Sequence, residues 1–438
     1  MKNQAVINVG IFSRPTVEFE FNGGYTFAGK EYQGAMSAYA NGNKVVFEDS
    51  LYDEVEFTKG ASAKSFVLKM VTIGVDFHWQ RDEDQVFDGN LKLIARSGKV
   101  IAINAIGVED YLLSVISSEM SATASNELLK AHSVISRSWL LAQIEKNRTL
   151  AATQTPYSAI IDTPDELIRW QDREDHTDFD VCADDHCQRY QGLTRGAGSE
   201  KIRKIIEQTW GEVLTSEGTI CDARFSKCCG GAFEEFQYCW EDKKFPYLVK
   251  QRDSKSDTNL PDLTQEEEAR KWILSSPEAF CNTTDKEILS QVLNTYDQET
   301  LNFYRWKVEY NQEYISDLIR RRTGIDYGEI IDLIPIARGT SGRLWKLKIV
   351  GTKRTRIIGK ELEIRHTLSE SHLYSSAFLV EREDIKGNIP GKFILRGAGW
   401  GHGAGLCQIG AAVMGAKGYS YDEILYHYYP SSKIEKKY

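Results

Sequence analysis

The stretch Leu91–Glu119, LKLIARSGKVIAINAIGVEDYLLSVISSE, changes character at Gly107. Before that glycine, apolar residues come in short β-type runs broken by a Ser-Gly turn signal. After it, EDYLLSVISSE (109–119) carries apolar residues at helical spacing. Working upstream, AVINVGIF and SFVLKMVTI have the same β character, with Asn-Gly turn signals between runs, so residues 1–107 read as a β-rich N-terminal part. Working downstream, SNELLKAHSVISRSWLLAQIEKN (125–147) predicts a second helix with Ser125 as its N-cap.

Beyond the helices comes a polar stretch rich in Asp, and strands resume in EVLTSEGTICDARFSK. Residues 241–330 read as an insertion or second lobe with helical pieces such as DKEILSQVLNTYDQ and EYISDLIRRRTG. Residues 331–382 return to β character, with turn signals at RGTSGR and VGTKR. The chain closes with a Gly-rich segment, an Ala-rich helix and the aromatic tail ILYHYYP. The expected organisation is therefore 1–107 β-rich, 108–240 catalytic core with a metal site, 241–382 second lobe, and 383–438 completing the core.

The chain has 438 residues, 41% hydrophobic and 27% charged, an ordinary globular mixture with length for two or three domains. Its 63 acidic and 54 basic residues give a net charge of −9, which argues against a general nucleic-acid partner. No apolar stretch reaches the length of a membrane span. The first residues, MKNQAVINVGIFSRP, lack the apolar segment of a secretory signal, which predicts a cytoplasmic location if residue 1 is the true start. Of the eight Cys, six lie between 182 and 239; that clustering fits thiols and a metal site better than a disulfide framework.

Several residues are candidates for chemistry. Leu112, Val115 or Ile116, and Glu119 share a helical face. A carboxylate at the end of an apolar face, near a helix C-terminus, holds its proton longer and suits general acid work, whereas most Glu are simply solvated. Lys130 and Arg137, seven apart, share a face of the second helix; they would suit an anionic group such as a carboxylate, or be ordinary surface charge. HTDFDVCADDHC offers His176, Cys182, His186 and Cys187 as zinc ligands, with Asp180, Asp184 and Asp185 as supporting or merely solvated groups. Cys228 and Cys229 in FSKCCGG are ligands, nucleophiles or inert buried thiols.

The Gly-rich segment is GAGWGHGAGLCQIG, residues 397–410, with six Gly, five of them at alternate positions. Such density predicts positive φ or close backbone approach, a cradle framing Trp400 and His402. Cys407, near a predicted helix N-terminus, and His402 also allow a Cys–His hydrolase, although in such enzymes the two are usually distant in sequence.

VEDYLLSVISSEM, LLKAHSVISRSWLLA, FSKCCGG and GWGHGAGLCQIGAAVMGAKGYSYDEILYHYYP, in this order, resemble the stage II sporulation protein D (SpoIID) / LytB family, whose members act on peptidoglycan. The resemblance covers about residues 100 to 430. It implies an α+β fold, here with a β-rich N-terminal part, a helical catalytic core, a mixed second lobe and a Gly-rich loop and helix at the C-terminus. It also implies lytic transglycosylase activity, cutting between N-acetylmuramic acid and N-acetylglucosamine to leave 1,6-anhydro ends. The family's catalytic Glu falls on Glu119 and its functional Lys and Arg on Lys130 and Arg137. A zinc held by a His and two Cys fits His176, Cys182 and Cys187, with His186 spare.

The resemblance makes Trp400 and His402 sugar-binding, on one wall of a glycan groove, and Cys407 a packing thiol. Peptidoglycan or muropeptides are the implied substrate; a non-catalytic wall-binding or amidase-enhancer module, with an amidase as partner, is the alternative. FSKCCGG departs from the family's serine-rich block, and thiols there would bind sugar poorly. Intact wall would require a periplasmic or exported protein, while a cytoplasmic one would handle imported fragments.

Overall fold

A computed structural model of the chain describes residues 4–74, 80–153, 160–170, 176–184, 186–193, 200–256, 259–292 and 302–438. The chain is mixed α+β and divides into two compact units. The first holds residues 1–152, 176–214 and 434–438; the second holds 153–175 and 215–433. The segment 108–240, read from the sequence as one core, is shared between them. Its FSKCCGG end joins the C-terminal Gly-rich segment, because Phe225–Ser226 pairs in parallel with Leu406–Cys407.

In the first unit, an 11-stranded sheet contains all the β segments read upstream of Gly107. Alternating apolar residues fill one side: the Phe57 ring lies 4.9 Å from Phe21 and 5.1 Å from Phe47. Asn90–Arg96 and Lys99–Gly107 form a hairpin. Its turn residues Ser97 (φ 49°) and Gly98 (φ 76°) are both left-handed, as a two-residue hairpin turn matched to strand twist requires. The chain then enters helix α1, Val108–Glu119, at Gly107. Gln4 caps that helix from the sheet: its Oε1 accepts the Glu109 N–H at 2.8 Å and its Nε2 donates to Asp110 at 3.1 Å. A Cβ on Gly107 would sit 2.6 Å from the Gln4 amide, so the glycine makes room for this cap. Helix α2, Asn126–Thr153, follows. The Ser125 hydroxyl accepts the Leu128 N–H at 3.2 Å, the N-cap expected from the sequence.

The second unit carries a five-stranded sheet of Ile160–Asp162, Glu166–Arg169, Thr355–Gly359, Leu344–Gly351 and Ile330–Arg338, in that order. A three-stranded sheet runs Arg305–Asn311, Lys392–Ala398, Phe378–Glu383. The helix Gln312–Thr323 is bounded by the Asn311 side chain, which accepts the Tyr314 N–H at 2.8 Å, and by Gly324 at φ 71°. Its apolar residues Ile315, Leu318 and Ile319 pack on Leu333, Leu347 and Phe393 in one core. The helix expected over DKEILSQVLNTYDQ is seen as Lys286–Val292; its residues 293–298 lie outside the described residues. Among the described residues, no helix is long and apolar enough to cross a membrane.

Candidate functional site

Glu119 is the last residue of α1 and is half-buried. Its Oε1 accepts the backbone N–H of Arg189 at 3.4 Å. Arg189 belongs to a loop that is stitched to both helices. The Gln188 amide meets Tyr111 Oη at 3.4 Å and Ser136 O at 3.3 Å, and the Gln191 N–H donates to Ser114 Oγ at 3.0 Å. Tyr190 stacks on Tyr111 with ring centres 5.0 Å apart and donates its hydroxyl to Asn104 at 2.5 Å. Glu119 thus contacts a loop some seventy residues away in sequence.

The same loop carries the His/Cys group. Val181–Cys182 adds in parallel to the sheet beside Val9 and Gly10. A Cβ on Gly10 would lie 2.5 Å from the Phe179 ring, so the glycine admits Phe179, which backs His176 at 4.6 Å. Cys187 Sγ is 3.4 Å from His176 Nε2 and 3.5 Å from His186 Nδ1, and Cys182 Sγ is 3.8 Å from His186 Nδ1. All four donor atoms lie within 4.8 Å of one another. Bonds of about 2.3 Å to sulfur and about 2.1 Å to nitrogen put tetrahedral ligand atoms about 3.6 Å apart, close to these three separations, so the group could hold a metal ion. His186, which the sequence reading held spare, stands as a fourth donor. Cys187, then the two imidazoles, hold the Cys182 thiol well below its ordinary range against the opposing effect of burial. The Asp180 carboxylate accepts the Asn8 N–H at 2.8 Å, and Asp185 lies outside the described residues.

Arg137 is fully buried. Its guanidinium grips Glu109 through Nε–Oε1 at 2.9 Å and Nη2–Oε2 at 2.6 Å, and donates to Glu212 O at 2.8 Å. Glu109 also accepts the Gly211 N–H at 3.2 Å and the Tyr438 hydroxyl at 2.8 Å. Lys130, half-buried, pairs with Glu127 one turn back at 2.8 Å. The two cations read as one anion-binding face therefore have different surroundings, and Glu109 is the partner that the sequence reading missed. No spacing rule links residues on two different helices.

In the second unit, Gly399, Gly401, Gly403 and Gly405 all have positive φ, between 70° and 89°. Their alternation is thus a backbone requirement, and space is scarce as well. A Cβ on Gly403 would lie 2.4 Å from the Arg343 guanidinium, and one on Gly405 2.0 Å from Arg224 O. The cradle is filled from within by Arg343, which is buried and donates to Gly401 O at 2.9 Å, Cys229 O at 3.2 Å and Ser341 Oγ at 2.9 Å. Glu234 holds the preceding turn, accepting from Thr340 N at 2.8 Å and Ser341 Oγ at 2.7 Å; burial pushes its carboxyl up.

Trp400 is half-buried and stacks on Phe303 at 4.9 Å. His402 packs edge-on against Trp240 at 4.7 Å, and its Nδ1 accepts the Ala404 N–H at 3.1 Å. Burial, then the charges of Arg224 and Arg343, hold its imidazole well below its ordinary value. Cys407 joins other partners: its Sγ accepts the Cys229 N–H at 3.2 Å. Cys228 and Cys229 are buried, so neither thiol stands on a surface that sugar would touch. Cys229, Asp253, Cys281 and Cys407 form a second, fully buried group that could hold a metal ion.

Residues 96–216 match the SpoIID family, "Stage II sporulation protein", and residues 234–405 match a domain of unknown function, DUF8618. The chain is similar to the amidase enhancer of Bacillus subtilis (strain 168), 26% identical over 343 residues, which are 74% of this chain and 40% of that protein. It thus spans well under half of that relative. Stage II sporulation protein D of the same organism is 20% identical over 335 residues, 76% of either chain. An uncharacterized protein of Brachyspira hyodysenteriae (strain ATCC 49526 / WA1) is 24% identical over 346 residues, 78% of this chain and 70% of its own. The chain carries a SpoIID domain and is a distant homologue of the LytB-type amidase enhancer and of stage II sporulation protein D.

Proposed function

We propose that the chain acts in cell-wall remodelling as a lytic transglycosylase, with Glu119 as the single acid/base. The observation that carries this reading is the placement of Glu119: half-buried, at the end of α1, held by the loop that bears Cys187. In the proposed reaction the protonated carboxyl gives its proton to the glycosidic oxygen as the C1–O bond breaks. The muramic acid 6-hydroxyl then attacks C1, and the carboxylate takes that hydroxyl's proton. A second carboxylate is unnecessary because the nucleophile comes from the substrate itself.

Zinc is proposed at His176, Cys182 and Cys187, with His186 as fourth ligand. Four protein donors make it a structural ion, and it would fix the loop that holds Glu119. Lys130 is proposed to meet the lactyl carboxylate of the muramic acid. Arg137, closed in its pair with Glu109, would act on α1 and so on the position of Glu119. Within the second unit, and apart from Glu119, Trp400 is the proposed stacking face for a pyranose and His402 a residue that positions it.

Mass analysis of products from sacculi and from peptide-stripped glycan tests the reading. Anhydro ends are expected, and Glu119→Gln should lower their release by at least about 100-fold while zinc content stays constant. Undiminished product from that variant sinks the assignment. The similarity to an amidase enhancer supports a second reading. It expects no glycan product, and faster peptide release when an amidase is added.

A further inference from the structure

We propose that Cys229, Asp253, Cys281 and Cys407 bind one divalent ion of the zinc class as a closed structural site inside residues 215–433. This inference stands on its own, whether or not the protein cleaves glycan.

The four residues come from four separate segments. Cys229 precedes the left-handed pair Gly230 and Gly231 (φ 76° and 97°), which turns the chain back so that the Asp253 N–H reaches Gly231 O at 3.1 Å. Cys281 follows Phe280, whose N–H donates to Asp253 O at 2.7 Å. Cys407 is the N-cap of the helix Gln408–Ala416. The donor atoms all lie within 4.8 Å of one another, and all four residues are buried.

The sulfur spacing distinguishes the chemistries. Cys229 Sγ and Cys281 Sγ are 3.5 Å apart. A disulfide requires about 2.05 Å. Two thiolates sharing a tetrahedral ion at about 2.3 Å stand about 3.8 Å apart. Three thiolates and one carboxylate are a donor set for zinc or a similar soft-tolerant ion, not for magnesium or calcium.

The surroundings are those of a supported metal site. The Asp253 side chain is wholly buried, and among the described residues no Lys or Arg pairs with it. Its Oδ1 is held by the Tyr428 hydroxyl at 3.0 Å and His427 Nε2 at 3.4 Å, and its Oδ2 by the Cys281 N–H at 2.9 Å. A buried carboxylate that rests on hydrogen bonds and one imidazole, with thiols beside it, is costly to keep charged, and a cation lowers that cost. The Cys229 N–H pointing at Cys407 Sγ, and the helix that Cys407 opens, both favour a thiolate. Outer hydrogen bonds of this kind orient ligands around a metal. The packing is tight enough that a Cβ on Gly410 would fall 2.3 Å from Tyr428 Oη and 2.8 Å from Asp253 Oδ2.

The test removes the other thiol group first. A full-length chain carrying Cys182→Ser and Cys187→Ser, purified under reductant, is expected to retain about one zinc per chain. Cobalt(II) in its place should give the intense visible and near-ultraviolet bands of tetrahedral thiolate coordination. Cys281→Ser in the same background should lose both metal and bands. If that triple variant does not fold, the cobalt spectrum of the double variant decides. If the double variant does not fold, Cys281→Ser in the otherwise wild-type chain decides, with a loss of about one ion per chain expected. A folded double variant without metal, a metal content unchanged by Cys281→Ser, or an alkylated chain whose mass shows a Cys229–Cys281 disulfide overturns the proposal.

Discussion

Gly403 and Arg343 show what a single position demands. Gly403 sits at φ 77°, and the Arg343 guanidinium occupies the space a side chain would need, 2.4 Å from a Cβ. Gly418 has φ 85° with nothing within 4 Å of the same point. Gly418→Ala should therefore cost only the left-handed backbone penalty, about 1–2 kcal/mol. Gly403→Ala carries that penalty and must also displace a buried cation, so it should cost at least about 3 kcal/mol. Chemical denaturation of both variants checks this, and equal losses would show that Arg343 yields freely. The alternating glycines were legible in the sequence as a cradle. The arginine that fills it was not, because Arg343 lies far upstream beside a turn and nothing local marks it as buried. For the same reason Asp253 and Cys281 escaped notice: thiol clustering showed in Cys228 and Cys229, but a lone Asp and a lone Cys carry no spacing signal.

At the scale of elements, the helices were read well and their faces less so. Both α1 and α2 begin within one residue of where the sequence placed them, and Ser125 caps as expected. A helical wheel puts Lys130 and Arg137 on one face and invites a search for a shared ligand. Residues 131–140 are buried all round, however, so the middle of α2 has no open face. Arg137 is accordingly committed to Glu109. Removing one charge of such a pair strands the other, so Arg137→Leu should cost about 3–5 kcal/mol. Adding Glu109→Leu should recover part of that loss, since no buried charge is then left alone. A double-mutant cycle measured by urea unfolding reads this directly, and simple additivity would contradict the pairing. The loop of residues 182–191 makes a related prediction. If it positions Glu119, Cys187→Ser should lower zinc content and kcat together while leaving KM within about twofold. A change in KM alone would place the loop in substrate binding.

On the scale of the whole molecule, the family resemblance implied the mixed α+β chain that is seen, but the two units interleave in sequence. Contiguous segments could not describe them, because Val9–Gly10 pairs with Val181–Cys182 in the first unit and Glu166–Ile168 with Ile357–Gly359 in the second. The second unit also gathers three histidines that fold neutral. Burial first, then neighbouring arginines, lowers His366 to about 4 and His372 to about 3, and holds His402 well below the ordinary imidazole value. An unfolded chain takes up protons at these positions as pH falls below about 6.5, while the folded chain does not. Their contribution to stability is therefore complete above pH 6.5 and is lost as pH falls towards the folded values. Each histidine adds a slope of at most about 1.4 kcal/mol per pH unit. Hydrogen exchange of residues 215–433 should show protection falling between pH 7 and pH 5, with metal content measured at each point. Replacing His366 and His372 together by Asn removes two of the three groups and should flatten that dependence. A slope unchanged in the double variant would assign the acid sensitivity to other groups, the proposed Cys229–Asp253–Cys281–Cys407 site first among them.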